Sequence, residues 1–312
     1  MQSVLVPGIN GFVGQHLARE LCSNGLQVTG VGRESSVSPE IEACVTDYQQ
    51  CDLSNPEDVA RLNLDNVEGV INLAGKAQVG DSFGAEQEYY RINVGSHTNL
   101  VEKLRSLGNM CRVVAISSGA IYSNDQPLPF TEDSRRIVEG EGSPYAYSKV
   151  LMEDALLERI EAGEDIIIAR PFNHTGPGQG PKFIVPDVIS QALHGDRIEV
   201  GSENTRRDYT DVRDVVRAYR LLLTSTSLTA HIFNVCSGVS TSRDELIEIV
   251  LSQAGRRGMP VHPNPKLARP NDPMDIFGNH SRLTAATGWK PGISLETTIE
   301  DFIASVKSGS SV

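Results

Sequence analysis

The sequence predicts an α/β fold in which a doubly wound parallel sheet is followed by a smaller C-terminal lobe. Three observations carry that expectation. Over the first two thirds of the 312-residue chain, short β-branched apolar runs alternate with amphipathic segments, as βαβ units require. A glycine-rich turn lies between the first such run and the first amphipathic segment. After Arg170 the texture changes to PFNHTGPGQGPKFIVP, too punctuated by Pro and Gly to be another βαβ unit.

Strands are expected at residues 3–6, 28–31, 69–73, 112–117 and 165–169. Residues 12–22, 89–107 and 145–160 carry apolar side chains at three-to-four spacing and read as helices packed on that sheet. A helix over 209–223 and a strand over 231–235 read as a return to the sheet. The expected division is therefore 1–170, with a return segment at about 207–238, against a lobe built from 171–206 and 239–312.

Composition excludes several classes of function. At 39% hydrophobic and 22% charged residues the chain is ordinary globular material, able to bury a sizeable core. A net charge of -12 disfavours nucleic acid and anionic membrane surfaces as partners, so an anionic ligand would need locally placed arginines. No stretch approaches the roughly 18 apolar residues of a membrane span, and MQSVLVPGIN has no basic segment followed by an apolar one, which points to the cytoplasm. Cys22, Cys44, Cys51, Cys111 and Cys236 are scattered and odd in number, which suggests neither a disulfide framework nor a zinc site; no metal is expected.

Directly after the first strand stands Gly8-Ile9-Asn10-Gly11-Phe12-Val13-Gly14, opening a helix. Glycines there permit a tight turn, close approach of backbone to a pyrophosphate and close helix–strand packing, while the helix N-terminus offers free N–H groups to phosphate. A Rossmann-like dinucleotide site is the natural reading. The GxxGxxG spacing resembles the short-chain dehydrogenase/reductase superfamily, with Pro7 as a departure that removes one backbone donor. At the end of the second strand, Gly32 cannot hold a ribose 2′-hydroxyl, whereas Arg33 can pair with a 2′-phosphate. NADP (NADPH) is thus favoured, with NAD possible and a solvated surface charge as the plainer reading of Arg33.

The same resemblance implies that Asp52 and Leu53 contact the adenine, that Leu73, Ala74 and Gly75 follow the nicotinamide side, and that Asn93 belongs to the central region of the site.

Ser143-Pro144-Tyr145-Ala146-Tyr147-Ser148-Lys149 places Tyr145 and Lys149 four residues apart, on one helix face about 5–6 Å apart at Cβ. A phenol titrates near 10, so it needs a nearby ammonium to exchange protons at neutrality. Tyr147 lies two residues from Lys149, points elsewhere and reads as packing or surface. The same resemblance implies a Ser or Thr four residues before a Tyr, which in Ser117-Ser118-Gly119-Ala120-Ile121-Tyr122 selects Ser118 as the expected partner for the reacting oxygen, with Ser117 as the alternative. The expected catalytic set is Ser118, Tyr145 and Lys149.

The chain from Ala169 to Gln179 is closely similar to GDP-4-keto-6-deoxy-mannose reductases and their dehydratase relatives, members of the extended short-chain dehydrogenase/reductase family. The likeness continues through residues 207–214, 234–238 and 287–291. It implies that Asn173 contacts the nucleotide-sugar phosphates, that Arg207 and Arg269 clamp the diphosphate, and that Lys182 and Val185 border the base. Ser118 would also touch the sugar, and the smaller lobe would bind the substrate. Guanidinium forks suit phosphate oxygens, although Arg207 could instead pair with Asp208 or Asp211. His174 reads as structural.

The related 4,6-dehydratases carry an acid–base pair after the catalytic Ser or Thr. Gly119 and Ala120 stand there and transfer no protons. A 4-epimerase would hold NAD through an acidic residue, which Gly32 and Arg33 do not supply. The expected activity is therefore NADPH-dependent reduction of the 4-keto group of a nucleotide-diphosphate 4-keto-6-deoxy sugar, best matched by GDP-4-keto-6-deoxy-D-mannose going to GDP-D-rhamnose. The alternatives are a 4-epimerase and a catalytically silent NADP-binding sensor or scaffold. The resemblance also implies a homodimer.

Overall fold

The computed structural model describes residues 2–201, 203–267 and 272–309. In chain order the elements begin β1 (Ser3–Pro7), α1 (Phe12–Ser23), β2 (Gln27–Gly32), β3 (Asp47–Gln50), α2 (Pro56–Ala60), β4 (Gly69–Asn72) and α3 (Glu86–Ser106). There follow β5 (Arg112–Ile116), α4 (Pro144–Glu161), β6 (Ile166–Pro171), β7 (Asn173–Thr175), α5 (Ile184–His194), β8 (Ile198–Val200) and β9 (Arg206–Asp211). The chain continues through α6 (Val212–Thr224), β10 (Ile232–Val235), β11 (Ser240–Ser242), α7 (Arg243–Gln253), β12 (Val261–Pro263), β13 (Asp275–Ile276), α8 (Ser281–Thr287) and α9 (Leu295–Ser308).

Seven strands form one parallel sheet in the order β10-β6-β5-β4-β1-β2-β3. Both of its faces are buried, so its central strands are apolar on both sides. Val4 and Val6 of β1 face a core shared with Leu17 and Leu21 of α1 and Tyr219 of α6. Leu5, between them, faces the opposite core with Leu100 of α3 and Met152 and Leu156 of α4. Each such side chain contributes roughly 1.5–3 kcal/mol of burial. β3, of sequence DYQQ, is a polar edge strand and carries no apolar signal of its own.

Strand order reverses between β1 and β4, the switch point outside which ligands of open α/β sheets bind. The glycine turn after β1 and the loop after β4 meet there.

The second lobe has its own core, drawn from α5, α7, α9, β8 and β9. β9 pairs with β7, β11 and β13, while β8 pairs with β12. One expectation is corrected here: the helix placed over 209–223 starts only at Val212, because Tyr209 to Asp211 complete β9. Asp211 then caps α6 by accepting from the Arg213 backbone N–H at 2.7 Å, and the apolar three-to-four spacing belongs to Val212, Val215, Val216, Tyr219 and Leu222.

Candidate active site

The turn from Gly8 to Gly14 leaves room for backbone and for little else. Gly8 has φ +80°, and a Cβ on it would lie 3.1 Å from the Ala74 backbone nitrogen. A Cβ on Gly14 would lie 2.4 Å from the Gly8 carbonyl oxygen, so that position admits only glycine while the turn keeps its shape. α1 begins at Phe12 with Gly11 as its N-cap and no side-chain cap. Its first N–H groups, those of Phe12, Val13 and Gly14, are the free donors that suit a pyrophosphate.

The loop after β4 is held from behind by Asn93, which is fully buried. Asn93 Oδ1 accepts from the Lys76 backbone N–H at 2.7 Å, and its Nδ2 donates to Ser148 Oγ at 2.8 Å and to the Lys76 carbonyl at 3.2 Å. Its amide ties the loop that carries Leu73, Ala74 and Gly75 to α4 through Lys76 and Ser148.

On α4, Pro144 occupies the first turn and Ser143 caps it, accepting from the Ala146 backbone N–H at 3.2 Å. Tyr145 and Lys149 both point into the protein, 8% and 6% exposed. Burial raises the Tyr145 phenol above its ordinary value, and a hydrogen bond with the Ser118 side chain pulls it back. Ser118 follows β5, caps the short turn at Gly119–Ile121 and accepts from the Ala120 backbone N–H at 3.1 Å. Ser118 is thus the serine that meets Tyr145.

Lys149 Nζ donates to the Ile116 carbonyl at 2.8 Å. Burial lowers its pKa to about 8, opposed by the Glu153 charge. Burial thus acts on both members of the i, i+4 pair, raising the Tyr145 phenol and lowering the Lys149 ammonium. Tyr147 packs edge-on against Tyr90, away from the other three.

Around the expected adenosine end, Arg33 is exposed just after β2. Asp52 Oδ1 accepts from the Ser54 backbone N–H at 2.9 Å and the Ser54 hydroxyl at 2.7 Å. Burial raises its pKa, but these bonds, with Arg91 and Arg33, leave it lower than usual. Leu53 is 4% exposed and belongs to the core under α3.

In the second lobe Asn173 is exposed on β7. Arg207 is mostly buried and ion-paired to Asp272 at 2.8 Å, with two further bonds to the Arg206 and Pro273 carbonyls. Neither Asp208 nor Asp211 is its partner: Asp208 is held by Ser237 and Gly238, and Asp211 by Arg213 and Thr298. Lys182 reaches Asp81 at 3.0 Å and Gln78 at 3.4 Å, on the side of the large sheet. Val185, expected at the base, is 2% exposed and packs into the core of the second lobe, because it lies on the apolar face of α5. Arg269 lies outside the described residues. His174 Nδ1 lies 3.0 Å from the Phe172 carbonyl, and its ring stacks on Phe12, a structural arrangement.

Residues 4–236 match the profile of the NAD dependent epimerase/dehydratase family. The chain belongs to that family. It is 31% identical to the GDP-6-deoxy-D-mannose reductase of Pseudomonas aeruginosa over 98% of both chains. It is 25% identical to the UDP-glucose 4-epimerase of Caenorhabditis elegans, over 96% of this chain and 95% of that one. The solved structure of RMD from Pseudomonas aeruginosa complexed with NADPH aligns at a TM-score of 0.83 and 30% identity, over 99% of this chain and all of that one.

Within this epimerase/dehydratase chain, sequence reasoning missed the groups that support the trio. Arg170 of β6 donates to Glu153 of α4 at 2.9 and 2.6 Å, and to the Tyr122 hydroxyl at 2.9 Å. Tyr122 donates to Asn234 Oδ1 at 2.6 Å. This buried network fixes α4 relative to the sheet one turn beyond Lys149. The signal available was Tyr145, Lys149 and Glu153 at successive four-residue spacings. Glu34 was missed as well: its Oε2 would lie 2.8 Å from a Cβ on Gly32 and accepts from Asn10 Nδ2 at 3.2 Å. An acidic group thus stands beside Gly32 after all, supplied from two residues further on.

Proposed function

We propose that the chain is an NADPH-dependent reductase of the 4-keto group of a nucleotide-diphosphate 4-keto-6-deoxy sugar, with GDP-4-keto-6-deoxy-D-mannose as the favoured substrate and GDP-D-rhamnose as its product. The placement of Tyr145 beside Ser118, next to the proton-inert Gly119 and Ala120, carries this reading. It equips one oxygen with a donor and a proton source and provides no second acid–base pair for water elimination. The similarity to the Pseudomonas aeruginosa reductase and to the NADPH-complexed structure supports the same choice.

The cradle fits a dinucleotide: Gly8, Gly11 and Gly14 admit close backbone approach, Phe12 and Val13 offer N–H groups, and Arg33 is free to meet a 2′-phosphate. Asp52, Leu53, Leu73, Ala74 and Gly75 would border it. When bound, the nicotinamide supplies the hydride. Tyr145 delivers a proton to the oxygen that becomes an alkoxide, Ser118 holds that oxygen, and Lys149 stabilises the phenolate left behind. Asn173 and Arg207 would meet the diphosphate. Outer faces of α3 and α4 would pair with their copies in a second subunit, which light scattering at micromolar concentration tests.

Glu34 favours a second reading, a 4-epimerase that retains NAD. Incubation with a panel of nucleotide-linked 4-ketosugars and NADPH or NADH, followed by nicotinamide absorbance, and in parallel with the corresponding 4-hydroxy sugars without added nicotinamide, followed by chromatography of the 4-epimers, separates the two. Stoichiometric oxidation of NADPH supports the reductase, interconversion without net oxidation supports the epimerase, and tight cofactor binding without turnover supports a sensor. Tyr145→Phe should remove nearly all turnover and leave cofactor affinity unchanged, since it deletes only the proton donor. Substantial residual activity would move that role to another group.

A further inference from the structure

Two polar atoms buried on the face of the sheet under α3 and α4 have no hydrogen-bond partner among the described residues: Nε2 of His97 and Oγ of Ser117. The two residues are 1% and 2% exposed. In β5, Val113 and Ala115 face that core, so Ser117 continues the same side just past the strand's end. His97 lies one turn after Asn93 on α3, with Nδ1 3.0 Å from the Asn93 carbonyl. A carbonyl oxygen only accepts, so Nδ1 carries the proton and a neutral ring leaves Nε2 as a bare acceptor. The ring is neutral: burial, then the Lys149 charge, lower its pKa to about 3 against the backbone carbonyls of Asn93 and Asn72.

Lys149 is near enough for its charge to act on the His97 ring. Its Nζ donates to the Ile116 carbonyl, in the peptide group that leads into Ser117, and would lie 3.6 Å from a Cβ on Gly75. An ammonium has three donors. One is used on Ile116, which leaves two for other acceptors. Interiors satisfy such groups with an ordered water that has two to four polar partners.

We propose that His97 and Ser117 seat one buried water against Lys149 and act as positioning residues that keep its ammonium charged and in place. The water accepts from Lys149 and donates to His97 Nε2 and Ser117 Oγ. The titratable and charged groups around Lys149 are Tyr145 and Glu153 on its own helix, His97 on α3, and Arg170 of β6 and Arg136 through their pairing with Glu153. Tyr89 of α3 and Tyr219 of α6 lie beyond, near Tyr145. The proposal rests on Lys149 belonging to the catalytic trio, but its test needs no substrate.

The experiment is a pH titration of ¹³C-lysine resonances in the free protein, with Lys149→Arg assigning the signal. The Lys149 midpoint should fall by about one pH unit in Ser117→Ala and in His97→Leu, because a hydrogen bond to a charged group is lost. His97→Gln, whose amide keeps an acceptor, should restore it. Nitrogen-15 spectra at neutral pH should show the Nδ1–H tautomer of His97. An unchanged midpoint in the substituted proteins, or an Nε2–H tautomer in the unsubstituted one, overturns the proposal. If His97→Leu does not fold, Ser117→Ala, which removes only a hydroxyl, decides together with the tautomer. Failure to reduce any nucleotide sugar would overturn the functional reading and leave these outcomes unaffected.

Discussion

Asn10 Nδ2 donates to Glu34 Oε2 at 3.2 Å and to the Ser36 carbonyl at 3.0 Å, while its Oδ1 accepts from the Ser38 backbone N–H at 2.8 Å. One side chain of the glycine turn thereby fixes the loop that carries Arg33 and Glu34. These two residues pull cofactor choice in opposite directions, since a guanidinium attracts a 2′-phosphate and a carboxylate repels it. Arg33→Ala should weaken NADPH binding roughly 10-fold or more and NADH binding little. Glu34→Gln should do the reverse, strengthening NADPH relative to NADH. Dissociation constants by nicotinamide fluorescence quenching decide it, and equal effects on the two cofactors would remove both residues from the 2′ position.

Gly14→Ala should disrupt the cradle, because its Cβ would meet two backbone oxygens at 2.4 and 2.5 Å. Gly25 is the control: its φ of +77° strains an alanine, but nothing lies within 4 Å. Gly25→Ala should cost about 1 kcal/mol, and Gly14→Ala several times that, together with most cofactor affinity. Urea unfolding and cofactor titration on both variants provide the comparison. Similar behaviour of the two would mean that the turn relaxes freely.

Burying Lys149 has a cost that depends on pH. Its pKa is lowered from the ordinary 10.5 to about 8, so between those values the unfolded chain binds more protons and stability rises with pH. Below pH 8 the cost is fully present. Lys149→Met should therefore stabilise the protein at neutral pH by up to about 3 kcal/mol, a gain that shrinks as pH rises toward 10.5, while turnover is lost. Denaturant unfolding at a series of pH values measures the gain. A variant that is uniformly less stable would show that the bond to Ile116 outweighs the desolvation.

Arg207→Ala should raise the Michaelis constant for a nucleotide-diphosphate sugar by roughly 10- to 100-fold, the loss of one charge-assisted contact. Cofactor affinity should change little. Because Arg207 is also paired with Asp272, Asp272→Asn serves as the companion variant: it breaks the internal pair and should lower that constant. Normal kinetics in Arg207→Ala would make the residue a brace between β9 and the segment before β13.

Local pattern alone determined the parallel sheet, the glycine turn and the helix that carries Tyr145 and Lys149. Each depends on residues a few positions apart, where periodicities of two and 3.6 or the steric needs of glycine dictate geometry. The same helical spacing set Tyr147 aside, whereas the choice of Ser118 over Ser117 rests on resemblance. Helical spacing placed the start of α6 three residues too early, since a strand that ends on a capping aspartate shares its apolar residues with the helix that follows. Only the tertiary structure decided what surrounds the trio. Asn93 meets Ser148 across 55 positions, Arg170 meets Tyr122 across 48, and Arg207 takes Asp272 rather than a neighbour in sequence. Glu34 reached Gly32 because the loop after β2 folds back onto Asn10. Such pairings follow from which strands lie side by side and which way each buried side chain points, and burial then sets the charge of Lys149 and His97. Neither property is carried by spacing along the chain.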